Sequence, residues 1–165
     1  MNDLLGKISS YNLFNYLFSG VLFVALTATF TSYSFVQEDL VIGVFVYYFI
    51  GLVVSRLGSL IVEPALKFVS FVKFTSYQDF VVASKKDSSL DVLSEVNNMY
   101  RTLVSVCAGV LILMLYESIK TKLMWTQGLE TWALLVFLLV IFLFAYRKQT
   151  AYITKRIKAN LPDHE

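Results

Sequence analysis

The chain has 165 residues, of which 57% are hydrophobic and 16% are charged, and its mean hydropathy is +0.65. Soluble domains are roughly 45–50% apolar and about 25% charged, so this composition excludes an ordinary soluble domain. The formal net charge of +2 says little as a total, and the position of each charge along the chain is more informative.

Four apolar runs follow one another along the chain, at residues 13–35, 40–62, 102–116 and 131–146. A helix needs about 20 apolar residues to cross the hydrocarbon core. The last two runs are shorter than this, and we expect Arg101 and Arg147 to extend them by snorkelling. The first run is uncharged throughout residues 8–37, longer than the core of a signal peptide. The sequence therefore predicts an all-α integral membrane protein with four transmembrane helices.

These spans divide the chain into four parts. Residues 1–64 hold transmembrane helices 1 and 2, and residues 65–100 form a small helical cytoplasmic segment. Residues 101–147 hold transmembrane helices 3 and 4, and residues 148–165 form a basic, helical cytoplasmic tail. Pro64 is expected to end or kink the second span, because proline removes a hydrogen bond from a helix interior.

Local signals predict the helices outside the spans. Ser76 and Asp79 are typical of a capping box that opens a short helix ending near Ser84. A second helix start at residues 88–91 is followed by apolar residues at helical spacing, which predicts one helix running without a break into span three. The tail is expected to continue span four as a helix, stopped by Pro162.

The basic residues lie unevenly about the predicted spans. Eleven of the 14 Lys and Arg residues fall before span one, between spans two and three, or after span four. Two fall between spans three and four, and Arg56 lies within span two. Because Lys and Arg concentrate on the cytoplasmic side of membrane proteins, we expect both termini and the central loop to be cytoplasmic. The predicted location is the bacterial inner membrane.

Polar residues recur along one face of span one, at Asn12, Asn15, Ser19 and Thr27. Polar groups inside a membrane are costly unless they are partnered or wet. One interpretation is a pore-lining stripe, and the other is hydrogen bonding between packed helices. The sequence leaves both open.

Span two carries small residues and a charge. Gly51, Ser55 and Ser59 recur at four-residue intervals, a spacing that lets helices approach closely. Arg56 and Glu63 lie two turns apart on the same helix and can share a face. They are candidates for a gating contact, and the alternative is a snorkelling arginine with a structural ion pair.

The predicted cytoplasmic parts carry a basic rim. Its candidate ligand-binding residues are Lys85, Lys86, Lys148, Tyr152, Lys155, Arg156 and Lys158. Such residues attract anionic lipid headgroups, or they bind a nucleotide or a nucleic-acid strand with a tyrosine stacked on a base.

Signals for catalysis are absent from the sequence. It contains no His-Glu-x-x-His, no Gly-x-Ser-x-Gly, no phosphate-binding glycine loop and no Cys/His cluster. We therefore predict no catalytic residues, no metal ligands and no cofactor, and we do not expect an enzyme.

Three stretches resemble a small family of bacterial membrane proteins: residues 7–23 (KISSYNLFNYLFSGVLF), 46–64 (VYYFIGLVVSRLGSLIVEP) and 83–103 (ASKKDSSLDVLSEVNNMYRTL). By size and four-span layout the chain is similar to the membrane effectors of bacterial antiphage defence systems, first the Hailong channel effectors and second the Kiwa membrane subunits. The Hailong resemblance implies an oligomeric ion channel with a cytoplasmic crown that binds a DNA oligomer and is held shut by it.

A four-helix subunit of this size is too small to enclose a wide pore, so we expect a cyclic homo-oligomer, with a tetramer favoured. The first hypothesis is an antiphage ion channel gated by an anionic nucleotide or single-stranded DNA oligomer at the cytoplasmic rim. The second is a non-conducting membrane anchor that recruits a soluble defence partner. The expected partners are the lipid bilayer, further copies of the chain, and a cytoplasmic nucleotidyltransferase or effector protein.

Overall fold

The computed structural model describes residues 2–123 and 127–160 of the protein, and the surroundings of side chains for residues 11–120 and 132–159. All of the regular secondary structure in these residues is helical. The elements are α1 (Asn2–Phe30), α2 (Leu40–Leu57), a π-helical turn (Gly58–Val62), α3 (Glu63–Phe68), α4 (Tyr77–Lys86), α5 (Ser89–Leu123) and α6 (Gln127–Asn160). Within the described part of the chain, four helical stretches are long and apolar enough to cross a membrane: Tyr11–Phe30, Leu40–Phe68, Ser89–Lys120 and Trp132–Ala159. The predicted all-helical fold with four such helices is confirmed.

Two helix ends differ from the predictions. Helix α1 begins at Asn2, before the predicted run, and ends at Phe30, before the predicted end at residue 35, where an irregular connection follows. The second does not end at Pro64, because it continues through the π turn and α3 to Phe68. It ends where Ser70 adopts a left-handed backbone with φ 58°, the conformation that commonly closes a helix C-terminus.

The π turn explains how the helix passes Pro64. Proline lacks an N–H group and its ring clashes with the carbonyl four residues earlier in an α-helix. Here the N–H of Glu63 donates to the carbonyl of Gly58, five residues back. This wider turn changes the hydrogen-bond register immediately before the proline, so the chain stays helical.

The short helices begin at the predicted places. The Ser76 side chain accepts from the backbone N–H of Asp79 at 3.1 Å, and α4 extends to Lys86. Asp87 accepts from the hydroxyl and the N–H of Ser89 at 2.6 and 2.9 Å, where α5 begins. These hydrogen bonds lower the pKa of the Asp87 carboxyl, and the bond from the Ser89 hydroxyl has the larger effect. The predicted stop at Pro162 lies outside the described residues, as do the side chains of Lys7 and Lys122.

Helices α1, α2 and α5 form the packed part of the molecule. A Cβ atom on Gly51 would collide with the carbonyl oxygen of Tyr16, and one on Gly20 would collide with that of Tyr47. The predicted close approach at Gly51 is therefore present, between α1 and α2. Buried valines fill the space around this crossing: Val24, Val53, Val54, Val106 and Val110.

Helix α6 lies at the periphery of this core. It packs against α2, the π turn and α4, and Ile141 is a buried side chain on it. In the most apolar stretch of α6 only 6% of the residues are buried, compared with 28% in α1 and in α2. Most of its apolar surface is thus left for lipid or for another copy of the chain.

Candidate functional site

A polar cavity of about 510 Å³ lies at the end of the bundle that carries Glu63, Arg101 and Lys155. We call this end the basic end and the space the basic cavity. The helices α1, α2, α3, α4, α5 and α6 all contribute to its wall, together with the π turn and the connection before α4. Ligand pockets in proteins have volumes of roughly 300–1,000 Å³, so the basic cavity is large enough for a small molecule.

Positive charge dominates the wall. Among the described residues that line the cavity, Arg56, Lys67, Arg101 and Lys155 are cationic and Glu63 is the acidic residue. A concave site with walls of low dielectric constant focuses the field of such charges. The cavity is therefore suited to an anion.

Glu63 holds the cationic groups together. Its carboxylate accepts from Lys67 Nζ at 2.7 Å and from Arg101 Nη1 at 2.6 Å, and Lys148 Nζ lies 4.0 Å away. Lys148 also donates to the backbone carbonyl of Ser59 in the π turn. Because these partners belong to α3, α5 and α6, the buried carboxylate links three helices at the basic end.

The inner part of the cavity reaches into the helical core. Asn15 and Ser55 line it from α1 and α2. Arg56 Nη2 donates to the hydroxyl of Tyr16 at 3.1 Å. Within the described part of the chain, the buried amide oxygen of Asn15 has no hydrogen-bond partner, and neither has the buried Nε of Arg101. Two buried polar atoms of residues that line this cavity thus lack the partner that such atoms usually have.

Aromatic rings form much of the outer wall. Tyr77 of α4 and Tyr152 of α6 face each other with ring centroids 6.3 Å apart, and Phe74 and Phe80 line the same side. Lys67 Nζ lies 4.2 Å from the centre of the Phe74 ring. Such rings offer stacking surfaces to a flat ligand group.

The four predicted pore-lining residues separate into two pairs. Asn12 and Asn15 line the basic cavity. Ser19 and Thr27 are fully buried inside the subunit, and Ser19 donates to the carbonyl of Tyr16 at 3.1 Å. A pore on the axis of an oligomer uses the outer faces of its subunits, so this burial favours helix packing for Ser19 and Thr27. Their role in a pore stays a prediction.

The two predicted gating residues both line the cavity but take different partners. Glu63 pairs with Lys67 and Arg101, whereas Arg56 donates to Tyr16. The two residues are therefore not paired directly with each other in this structure, and their gating role stays a prediction.

The seven predicted ligand-binding residues are spread over the basic end. Tyr152 and Lys155 line the basic cavity. Lys148 lies beside it, in a small hollow that also includes Arg56 and Tyr152. The other four are exposed outside the cavity, two on α4 and two on α6: Lys85, Lys86, Arg156 and Lys158.

Sequence reasoning missed the contribution of α5. Ser94, Asn97, Asn98 and Arg101 line the cavity and recur at three- and four-residue spacing. They form one polar face of a helix just before it becomes apolar. This periodicity is the sequence signal from which the contribution of α5 could have been predicted.

No protein-family model, no curated protein and no solved structure matches this chain.

Proposed function

We propose that the protein is an ion channel of the bacterial inner membrane, an effector of antiphage immunity, controlled by an anionic nucleotide or DNA oligomer. The observation that supports this best is the basic cavity, where four cationic side chains and one carboxylate surround a space reaching into the helical core. The distribution of Lys and Arg supports a cytoplasmic position for this end. A cytoplasmic anion thus has a site whose walls belong to all of the long apolar helices.

The channel itself is proposed to be a cyclic homo-oligomer, with a tetramer favoured. The core of one subunit is filled by side chains such as Val53, Val106 and Val110, so a conducting path belongs on the axis between subunits. The exposed apolar surface of α6 supplies contact area for neighbours and lipid.

Gating follows from the position of the ligand. Binding shifts an equilibrium only by the difference in affinity between the two states. In the basic cavity a ligand contacts α6 on one side and α1, α2 and α5 on the other. A change in the spacing of these helices changes the contacts to the ligand, and this provides the required difference in affinity.

The test is the current through purified protein in a planar bilayer, with and without short single-stranded DNA on the side of the basic end. We expect discrete currents that the DNA alters. Silence under both conditions, from protein shown to be folded and oligomeric, would contradict the proposal.

A second candidate function is a non-conducting anchor that recruits a soluble defence partner. It is favoured by Lys85 and Lys86, which are exposed at the end of α4 and outside the cavity. The anchor predicts that substituting these two lysines abolishes protection against phage, whereas Asn15→Leu and Arg56→Gln leave it intact. Loss of protection in correctly assembled Asn15→Leu protein would exclude the anchor.

A further inference from the structure

The innermost wall of the basic cavity contains an acceptor without a donor. Asn15 is 3% exposed and lines the cavity, and its amide oxygen has no hydrogen-bond partner among the residues that the structure describes. A buried polar atom left unpaired costs free energy, so such atoms usually have a partner. Inside this cavity the partner is water or a group of a bound molecule, and the cationic wall favours a bound molecule that is otherwise negatively charged.

The cationic side chains lie on other parts of the wall. Lys67, Arg101 and Lys155 belong to α3, α5 and α6, whereas Asn15 belongs to α1. Arg101 offers an unpartnered buried Nε in addition to the Nη1 that pairs with Glu63. Guanidinium and ammonium groups together are typical of a phosphate site.

We propose that the basic cavity binds a single phosphate-bearing group through two subsites. Lys67, Arg101 and Lys155 hold the phosphate. The Asn15 side-chain amide turns so that its oxygen, buried in this structure, accepts from an N–H or O–H group of the same molecule. The regulatory role of this binding rests on the proposed function, whereas the binding itself does not.

The volume of the basic cavity limits the size of the ligand that it can hold. About 510 Å³ accommodates one small molecule or one end of a longer polyanion. A DNA oligomer would therefore place one terminal nucleotide in the cavity, with the rest of the strand outside it. A phospholipid headgroup has the same chemistry, a phosphate with a hydrogen-bond donor, and is the other source.

The experiment is calorimetric titration of the detergent-solubilised full-length oligomer with three probes. Adenosine 5′-monophosphate represents the free source, dihexanoyl phosphatidylglycerol represents the lipid source, and inorganic phosphate lacks the second group. Binding of either organic probe supports the proposal and identifies the source. Binding of neither at millimolar concentration overturns it.

Two variants and a control locate the subsites. Lys155→Ser is expected to weaken all binding about tenfold, since a charged hydrogen bond is lost. Asn15→Leu is expected to weaken the organic probe about tenfold and to leave inorganic phosphate unchanged. Lys73→Ser is the control, because Lys73 is exposed at the same end but outside the cavity.

Equal losses in Lys73→Ser and Lys155→Ser, or an unchanged organic probe in Asn15→Leu, would overturn the two-subsite assignment. If Asn15→Leu does not fold, Asn15→Ala removes the same acceptor with a smaller side chain and is held to the same prediction. These measurements need no current, so a protein that binds but does not conduct would refute the channel and leave the binding site standing.

Discussion

The helical core and the peripheral helix α6 are held by different interactions. Helices α1, α2 and α5 pack through glycines and valines, with Gly20 and Gly51 allowing backbones to touch. Helix α6 is attached at the basic end by polar and aromatic contacts, including Lys148 with Glu63 and Tyr152 with Tyr77. The cavity lies between these two regions. The comparison indicates a rigid inner wall and an outer wall that few contacts fix, which is the arrangement a ligand can bias.

The largest expected loss of stability comes from a substitution in the core formed by α1, α2 and α5. Gly51→Ala places a methyl group against the carbonyl oxygen of Tyr16, and backbone cannot move aside as a side chain can. We expect a loss of about 3 kcal/mol of stability from this overpacking. The measurement is the unfolding transition of the purified protein in mixed detergent micelles.

Gly43→Ala is the matched control in the same helix. A Cβ there meets the Tyr47 ring at 3.4 Å, an ordinary contact. We expect no loss of stability, and a gain of up to about 1 kcal/mol from helix propensity. If Gly51→Ala were as stable as Gly43→Ala, the close crossing of α1 and α2 would be wrong.

The second largest loss of stability is expected at Glu63, where α6 joins the helical core. Glu63→Gln removes the carboxylate that joins Lys67, Arg101 and Lys148. Breaking a buried ion pair from one side costs about 3–5 kcal/mol, and we expect about 2 kcal/mol because the partners are partly exposed. The unfolding transition again provides the measurement.

Lys67→Gln is the comparison for this junction. Its side chain is 44% exposed, so its pair with the carboxylate is worth at most about 1 kcal/mol. A loss as large as that of Glu63→Gln would mean that Glu63 acts mainly through Lys67 and does not connect α6 to the core.

The smallest effect is at the outer rim of the cavity. Ser76→Ala removes the cap that accepts from the N–H of Asp79, and caps contribute about 1 kcal/mol. We expect faster hydrogen exchange in α4 and unchanged exchange in α1. Ser76→Thr keeps a hydroxyl that accepts from this N–H and donates to the Asp79 carboxylate. It should restore slow exchange, so equal exchange in the two variants would contradict the capping role.

Local signals in the sequence were enough to predict most helices. Ser76 and Asp79 mark the start of α4 by their own hydrogen bonds, and long apolar runs indicate the spans without reference to tertiary structure. The predicted end at Pro64 was wrong, because the π turn that accommodates the proline depends on backbone geometry at Gly58–Val62, and the predicted alternative of a kink stays a prediction. No local signal marks that turn.

The candidate site was predictable only in part. Tyr152 and Lys155 follow from the basic, aromatic character of the tail, and both line the cavity. Of the partners of Glu63, Lys67 is four residues away on α3, whereas Arg101 and Lys148 come from α5 and α6, far away along the chain. Only the packing of the helices brings Arg101 and Lys148 to the carboxylate, so the sequence could indicate just the neighbours of Glu63 on its own helix.

The most direct test of the central claim is the dependence of channel current on DNA concentration in Lys155→Ser and Lys73→Ser proteins. If the basic cavity controls the gate, Lys155→Ser should require about tenfold more DNA for half of the effect, and Lys73→Ser should match the wild type. A current that DNA alters equally in all three proteins would contradict control of the gate by the basic cavity.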